Sequence, residues 1–284
     1  MSQPAPPASS SVDSTSVARV ISPSVSIVQT DARVATVVYD RGGSGNALSS
    51  EAMLEITEAA VVLRREHELS AIVLAGTPKV FSLGFDLNEA KGRLEAPPDI
   101  AERRRLSRIG RDMCRAWVEI EALTIAAVDG WCVGGGGALA VALDLRVAGA
   151  EAVFYLPEIS RGLNLSWGAV PRLASLIGPA RAKRMAALAE KVDAPTAEAW
   201  GLADRVVPAG SARAAAEAWA REAAALPPVA LRMCLAQAEA AGHAFDRAAS
   251  ALDADQYVLS SLTEDHGESV RAFLERREPE YRGR

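Results

Sequence analysis

The spacing of hydrophobic positions changes along the chain, and each change predicts a different kind of structure. Residues 1–24, MSQPAPPASSSVDSTSVARVISPS, are dominated by Pro, Ser and Ala and hold few large apolar side chains. So little burial cannot offset the entropy lost on ordering, which predicts a disordered N-terminal tail. The stretch has neither the basic start nor the apolar centre of a secretory signal. From Val25 onward, VSIVQT and VATVVYD are β-branched runs on either side of Asp31-Ala32 and predict a hairpin. Over 49–66, Met53, Ile56, Ala60 and Leu63 recur at three- and four-residue steps, which predicts an amphipathic helix with Ser49 as its N-cap.

Three continuous apolar runs follow: SAIVLAG at 70–76, TIAAVDG at 124–130 and DLRVAG at 144–149. Runs of this kind are what strands buried on both faces of a parallel sheet look like. A helix is predicted from about 99 to 122, and another, rich in alanine, after Gly134-Gly135-Gly136-Gly137. Strands alternating with helices argue for a mostly parallel sheet covered by helices. After Val207-Pro208 the pattern is almost wholly helical, over 211–225, 228–242, 245–262 and 264–276. The expected organisation is therefore a tail at 1–24, an α/β core at 25–208 and a helical region at 209–284. No internal repeat is present.

Composition narrows the function. At 284 residues, 49% hydrophobic and 24% charged, the chain can bury a sizeable core. A formal net charge of -5 gives no basis for general nucleic-acid affinity. No apolar run approaches the roughly 18 residues a spanning helix needs, so no membrane partner is expected. Cys114, Cys132 and Cys234 are too few and too scattered for a disulfide framework. They read as buried, reduced thiols suited to a cytoplasmic setting. His67, His243 and His266 have no ligand spacing, so no zinc or iron site is expected.

Two glycine-bearing segments carry candidate chemistry. Phe81-Ser82-Leu83-Gly84-Phe85-Asp86-Leu87 follows the strand at 70–76, and Asp129-Gly130-Trp131-Cys132-Val133 with the four glycines follows the strand at 124–130. Ligands of open parallel sheets sit beyond the strand ends. A Gly-rich turn opening a helix presents backbone N–H groups and the positive end of the helix dipole. Two such turns on neighbouring strands could aim two donors at one oxygen, forming an oxyanion hole. Tight strand–helix packing is the competing reading of the glycines. No G-x-G-x-x-G opens the first strand–helix unit and no G-K-[ST] follows the glycines, which argues against dinucleotide and P-loop sites.

At these residues the chain resembles the enoyl-CoA hydratase/isomerase (crotonase) family. KVFSLGFDLNEA and AAVDGWCVGGGGALAVALDLRVA look like its two oxyanion segments, Asn46-Ala47-Leu48 like the element after its first hairpin, and FYLPEISRGLNLSWGAVPRL like its Pro-Glu segment. TAEAWGLADRVVP and LTEDHGESVRAFLERREPEYRGR continue the match to the end of the chain. The resemblance implies a crotonase-like β/α spiral core, with the C-terminal α-helical region packing against neighbouring subunits in a homotrimer or dimer of trimers. It implies an acyl-CoA substrate, coenzyme A arriving with that substrate, and no bound cofactor or metal. By the same resemblance the N–H groups of Phe85 and Gly135 form the oxyanion hole and Glu158 is a catalytic acid/base. Arg41, Ala47, Asp86, Leu87, Asn88, Gly134, Ser166 and Trp167 are the expected CoA- and substrate-binding residues.

The chain also departs from the pattern. Ala138 stands where the family has its other catalytic glutamate, and Leu165-Ser166-Trp167-Gly168 replaces the more usual Pro-Gly-Ala-Gly. Losing one general acid–base group costs about 10²–10⁴ in rate. One carboxylate suffices to move a double bond from β,γ to α,β, so isomerisation by Glu158 is the expected reaction. Hydration or another CoA lyase reaction, and non-catalytic acyl-CoA binding, are the alternatives. Glu158 has a structural reading as well, a loop carboxylate paired with Arg161 or Arg172. Trp167 reads equally as a specificity residue or as core packing. With no histidine in a catalytic-looking segment, Ser166 is not expected to be a nucleophile. Arg103, Arg104, Arg105, Arg108, Arg111 and Arg115 crowd one helix and read as a solvated basic face, with contact to CoA phosphates as the sharper alternative.

Overall fold

The computed structural model describes residues 18–284. Residues 1–17 of the predicted tail lie outside the described residues. The end of that stretch is not free chain: β1 (Ala18–Val20) pairs antiparallel with β2 (Val25–Asp31), Ala18 opposite Val28. Pairing along a sheet edge uses main-chain groups and needs no apolar side chain, so composition gave no sign of it. β2 turns back on β3 (Val34–Tyr39) in the predicted hairpin. α1 (Ser50–Arg64) follows, and the Ser49 hydroxyl accepts from Ala52 N at 3.2 Å, as a cap should. β4 (Ala71–Ala75) lies parallel to β3. β5 (Val80–Ser82), α2 (Leu87–Glu95) and α3 (Ile100–Val118) lead to β6 (Leu123–Val128), which is parallel to β4.

β7 (Trp131–Val133) and α4 (Gly135–Ala142) bracket the glycine run, and β8 (Leu145–Gly149) returns beside β6. β9 (Val153–Tyr155), α5 (Ala169–Ile177), α6 (Pro179–Leu188), β10 (Val192–Asp193) and α7 (Ala194–Trp200) precede β11 (Arg205–Val207). α8 (Ala212–Ala224), α9 (Pro228–Gly242), α10 (Asp246–Ala249), α11 (Asp253–Ser261) and α12 (Glu264–Glu275) complete the chain. The predicted helix over 245–262 is thus broken into α10 and α11.

One sheet has seven strands in the order β1-β2-β3-β4-β6-β8-β11, parallel from β3 onward. A second has four in the order β10-β9-β7-β5. Its strands are two or three residues long, too short for any periodicity to announce them. They matter because β5 and β7 are parallel neighbours, so the glycine turns that follow them emerge side by side.

The pleat divides the large sheet between two cores. Ile72, Leu74, Ala126 and Val128 face a core shared with α1, α3 and α4, while Ala71, Val73, Ala75, Ile125 and Ala127 face α8. α8 meets them with Ala212, Ala216, Ala220 and Ala223, a face of small residues that lets the helix lie close on the sheet. The α/β core therefore extends past the predicted boundary at 208 to include α8. α9 is different: none of its residues is fully buried, and Cys234 on it is exposed, unlike Cys114 and Cys132. The expectation of three buried thiols fails there because no layer of the described chain covers that face.

Candidate active site

The first glycine turn is built by a short parallel bridge. Leu48 N donates to Gly84 O at 2.7 Å and Asp86 N donates to Leu48 O at 3.1 Å. That pattern leaves the N–H of the residue between, Phe85, without an acceptor among the described residues. Asn46, buried and at φ 51°, fastens the segment by accepting from Arg41 N and donating to Tyr39 O. Gly84 sits at φ 82°, and a Cβ there would stand 2.7 Å from Val133 O and 3.3 Å from Gly135 N. The two turns touch, and only glycine permits it.

Gly135 opens α4, so its N–H is one of the helix donors with no intrahelical partner. It also has no acceptor among the described residues, whereas Gly134 N is bonded to Tyr155 O at 2.8 Å. Two unclaimed backbone donors therefore stand beside each other at the positive end of a helix.

Glu158 completes the group. It is the first residue of a short 3₁₀ turn, Glu158–Arg161, and its side chain reaches back so that a Cβ on Gly134 would lie 2.6 Å from its Oε1. Its Oε2 is buried with no hydrogen-bond partner, and burial raises the carboxyl from its usual range to about 7. The competing reading, an ion pair with Arg161 or Arg172, does not hold. Arg172 is bonded to Glu239 at 2.9 and 3.0 Å, and the Arg161 guanidinium lies 3.8 Å from the centroid of the Phe273 ring. Ala138 lies one turn into α4 from Gly134, to which its N–H donates, and is fully buried. A buried carboxyl with a raised pKa, set against Gly134 next to these donors, is the kind of group that general acid–base chemistry uses.

Residues 29–284 match the family model described as Enoyl-CoA hydratase/isomerase. The chain belongs to the enoyl-CoA hydratase/isomerase family. A Mycobacterium bovis protein named "Probable enoyl-CoA hydratase echA8" is 33% identical over 261 residues, 90% of this chain and 96% of that one. A Clostridium acetobutylicum protein named "Short-chain-enoyl-CoA hydratase" is 29% identical over 256 residues, 89% of this chain and 96% of that one. Among solved structures, an enoyl-CoA hydratase from Mycobacterium avium subsp. paratuberculosis superposes with a TM-score of 0.79 at 25% identity, covering 91% of this chain and 98% of the other. The fold is the crotonase fold. These relatives are named for hydration, whereas Ala138 led to the expectation of double-bond migration for this chain.

The other residues expected at a crotonase site fall into two groups. Arg41, Ala47, Asp86 and Asn88 form one polar cluster. The Arg41 guanidinium donates to Ala47 O at 2.6 Å and to Asp86 Oδ2 at 3.0 Å, and Asp86 Oδ1 accepts from Asn88 N at 2.9 Å as the cap of α2. Burial pushes the Asp86 carboxyl up, but these donors outweigh it and hold it below the usual range. Leu87 beside them is exposed. Ser166 and Trp167 belong to the second group. Ser166 is buried, and Trp167 stands in the left-handed region at φ 64°, an arrangement that costs a bulky residue about 1–3 kcal/mol. Its indole is wedged between helices: a Cβ on Gly110 of α3 would lie 2.0 Å from Cε2, and one on Gly135 2.3 Å from Cζ3.

Some neighbours escaped the sequence reading. Asp253 on α11 accepts from Gly168 N at 2.6 Å and so clamps the turn after Trp167. Tyr257, one turn further along α11, is within electrostatic reach of Glu158 and of Arg93, whose guanidinium lies 4.8 Å from the Phe85 ring centroid. Spacing of four residues would put Asp253 and Tyr257 on one helix face, but nothing local said which loop that face would meet. The arginine-rich face of α3 is largely committed: Arg104 pairs with Asp255, Arg105 with Glu102 and Arg115 with Glu119. These three fit the solvated-face reading, whereas the Nε of Arg108 on the same helix is buried with no hydrogen-bond partner among the described residues. A cavity of about 180 Å³ lined by Ile27, Val62, Leu63 and Leu69 lies apart from this chemistry.

Proposed function

We propose that the protein is an enoyl-CoA hydratase in which Glu158 is the single acid–base group. The observation that carries this reading is the buried Glu158 carboxylate set against Gly134 with its Oε2 unpartnered, next to the N–H groups of Phe85 and Gly135, which have no acceptor among the described residues. The thioester oxygen accepts from those two donors and is stabilised as it becomes an enolate oxygen, each donor being worth about 3–4 kcal/mol in the transition state. Glu158 takes a proton from water as its oxygen adds to the β-carbon. The same carboxyl then returns that proton to the α-carbon, so one group serves both steps. The hydratase names of the relatives support this reading.

Double-bond migration is the second reading, and Ala138 favours it. Glu158 would remove the α-proton of a 3-enoyl thioester and return it at the γ-carbon, with no water to orient. Coenzyme A arrives with the substrate, its path running along Asp86, Leu87 and Asn88, and no resident cofactor takes part. The exposed apolar residues of the C-terminal helices, among them Val229, Met233, Leu259 and Phe273, fit a homotrimer or dimer of trimers. We place the protein in the cytoplasm; among the described residues no helix is long and apolar enough to cross a membrane.

The deciding experiment is a paired assay on a 2-enoyl-CoA and a 3-enoyl-CoA with products identified by mass. Gain of one water on the 2-enoyl substrate supports hydration. Conversion of the 3-enoyl substrate at unchanged mass, with no hydration, moves the assignment to isomerisation. No turnover of either, with acyl-CoA binding intact, would leave only a binder.

A further inference from the structure

We propose that Trp167 is the specificity-determining wall of the acyl site and restricts this enzyme to short-chain enoyl thioesters. The inference rests on the reading of Phe85, Gly135 and Glu158 as an acyl-CoA site. The benzo edge of the indole is packed on two glycines of different helices. A Cβ on Gly135 would meet Cζ3 and Cη2 at 2.3 and 2.5 Å, and one on Gly110 would meet Cε2 and Cζ2 at 2.0 and 2.2 Å. Neither helix could carry a side chain there, so the slot is shaped to the ring.

Gly135 is the residue whose N–H is offered to the thioester oxygen, at a hydrogen-bond length of about 2.9 Å. The indole lies against that same residue, and the proposal runs the first acyl carbons beside it. A chain that continues past Gly135 in that direction meets the ring, and behind the ring the backbone of α3 at Gly110. The ring is also held in place. Its own backbone is left-handed at φ 64°, the next residue, Gly168, is at φ 73°, and Gly168 N is tied to the buried Asp253 at 2.6 Å. A bulky residue persists in that conformation only where its surroundings fix it, and such positions gather at functional sites.

The test uses saturated acyl-CoAs, which bind without reacting. Dissociation constants of butyryl-, octanoyl- and lauroyl-CoA are measured by calorimetry for the intact protein, Trp167→Gly and Trp167→Phe. Glycine suits the left-handed backbone, and phenylalanine keeps an aromatic should the larger deletion fail to fold. The intact protein is expected to bind butyryl-CoA at least about tenfold more tightly than lauroyl-CoA. Trp167→Gly should tighten lauroyl-CoA by about tenfold or more, since each newly buried methylene favours binding, and weaken butyryl-CoA, whose carbons lose their contact with the ring, by a smaller factor. Trp167→Phe should fall between. Equal affinity of the intact protein for all three lengths, or an equal loss for all three in Trp167→Gly, overturns the wall. Failure of the intact protein to bind any acyl-CoA overturns the site reading on which it rests.

Discussion

Asp129 and Glu158 are two carboxylates set in the same kind of surroundings, and the chain treats them in opposite ways. Both lie just past strand ends near glycines, and burial raises both above the usual range. Asp129 accepts from Gly210 N at 2.8 Å and from Ala212 N at 3.1 Å, closing the start of α8 onto the sheet. At Glu158 only its own backbone N–H offsets part of the burial and Oε2 has no partner, while beside it Phe85 and Gly135 offer donors with no acceptor among the described residues. At α8 the backbone donors and the acid satisfy each other, and the product is stability. At α4 they do not pair with each other, and on the proposed reading a substrate's oxygen and proton complete them. A buried group left unsatisfied costs about 1–3 kcal/mol, a cost that the proposed activity would explain.

The comparison can be broken most sharply at Glu158. Glu158→Gln should lower kcat by about 10²–10⁴ with acyl-CoA affinity kept, measured by steady-state kinetics and calorimetry. The matched change, Asp129→Ala, should leave the site chemistry intact but strand two N–H groups, costing about 2–3 kcal/mol in thermal or urea denaturation. If Asp129→Ala instead lost activity without losing stability, the division between the two regions would be wrong. A similar effect is expected at the indole slot. Gly110→Ala should cost about 1–3 kcal/mol with Trp167 present and almost nothing in Trp167→Gly, a coupling that a double-mutant cycle reads directly.

The dependence on pH is expected to be smaller in size but diagnostic in sign. Glu158 is raised from 4.5 to about 7 by burial. Between those values the unfolded chain has released this proton while the folded chain still holds it. Its contribution to stability is therefore full below pH 4.5 and is lost as pH rises towards 7. Glu158→Gln should remove that slope and be more stable than the parent above pH 7, although it is far less active. As the base that starts the reaction, Glu158 should also give kcat/KM an ascending limb near pH 7, absent in the glutamine variant. The smallest effect expected is Ser49→Ala, which removes the α1 cap far from both carboxylates and should cost about 1 kcal/mol without touching kinetics.

Much of this was readable in one dimension because its causes are local. The β2–β3 hairpin, the capped α1 and the buried runs of β4, β6 and β8 follow from period, branching and burial within a few residues. The glycine run opening α4 announced free donors, and the resemblance pointed to Glu158. What remained hidden depends on contacts distant in sequence. β5, β7, β9 and β10 are too short to show a pattern, yet their pairing is what sets Phe85 beside Gly135. The alanine face of α8 predicted a helix but not that it would roof the sheet. Nothing near Trp167 said that its ring would meet Gly110, 57 positions earlier and on another helix.

The sequence by itself determined the elements, the parallel α/β core and the kinds of group available for chemistry, because periodicity, capping and composition act over a turn or a strand. Only the tertiary structure decided which donors stay free, which carboxylate goes unpaired and where the indole lies. Those outcomes are set by packing and hydrogen-bond competition between segments far apart in the chain, where each group takes the partner that the assembled fold leaves within reach.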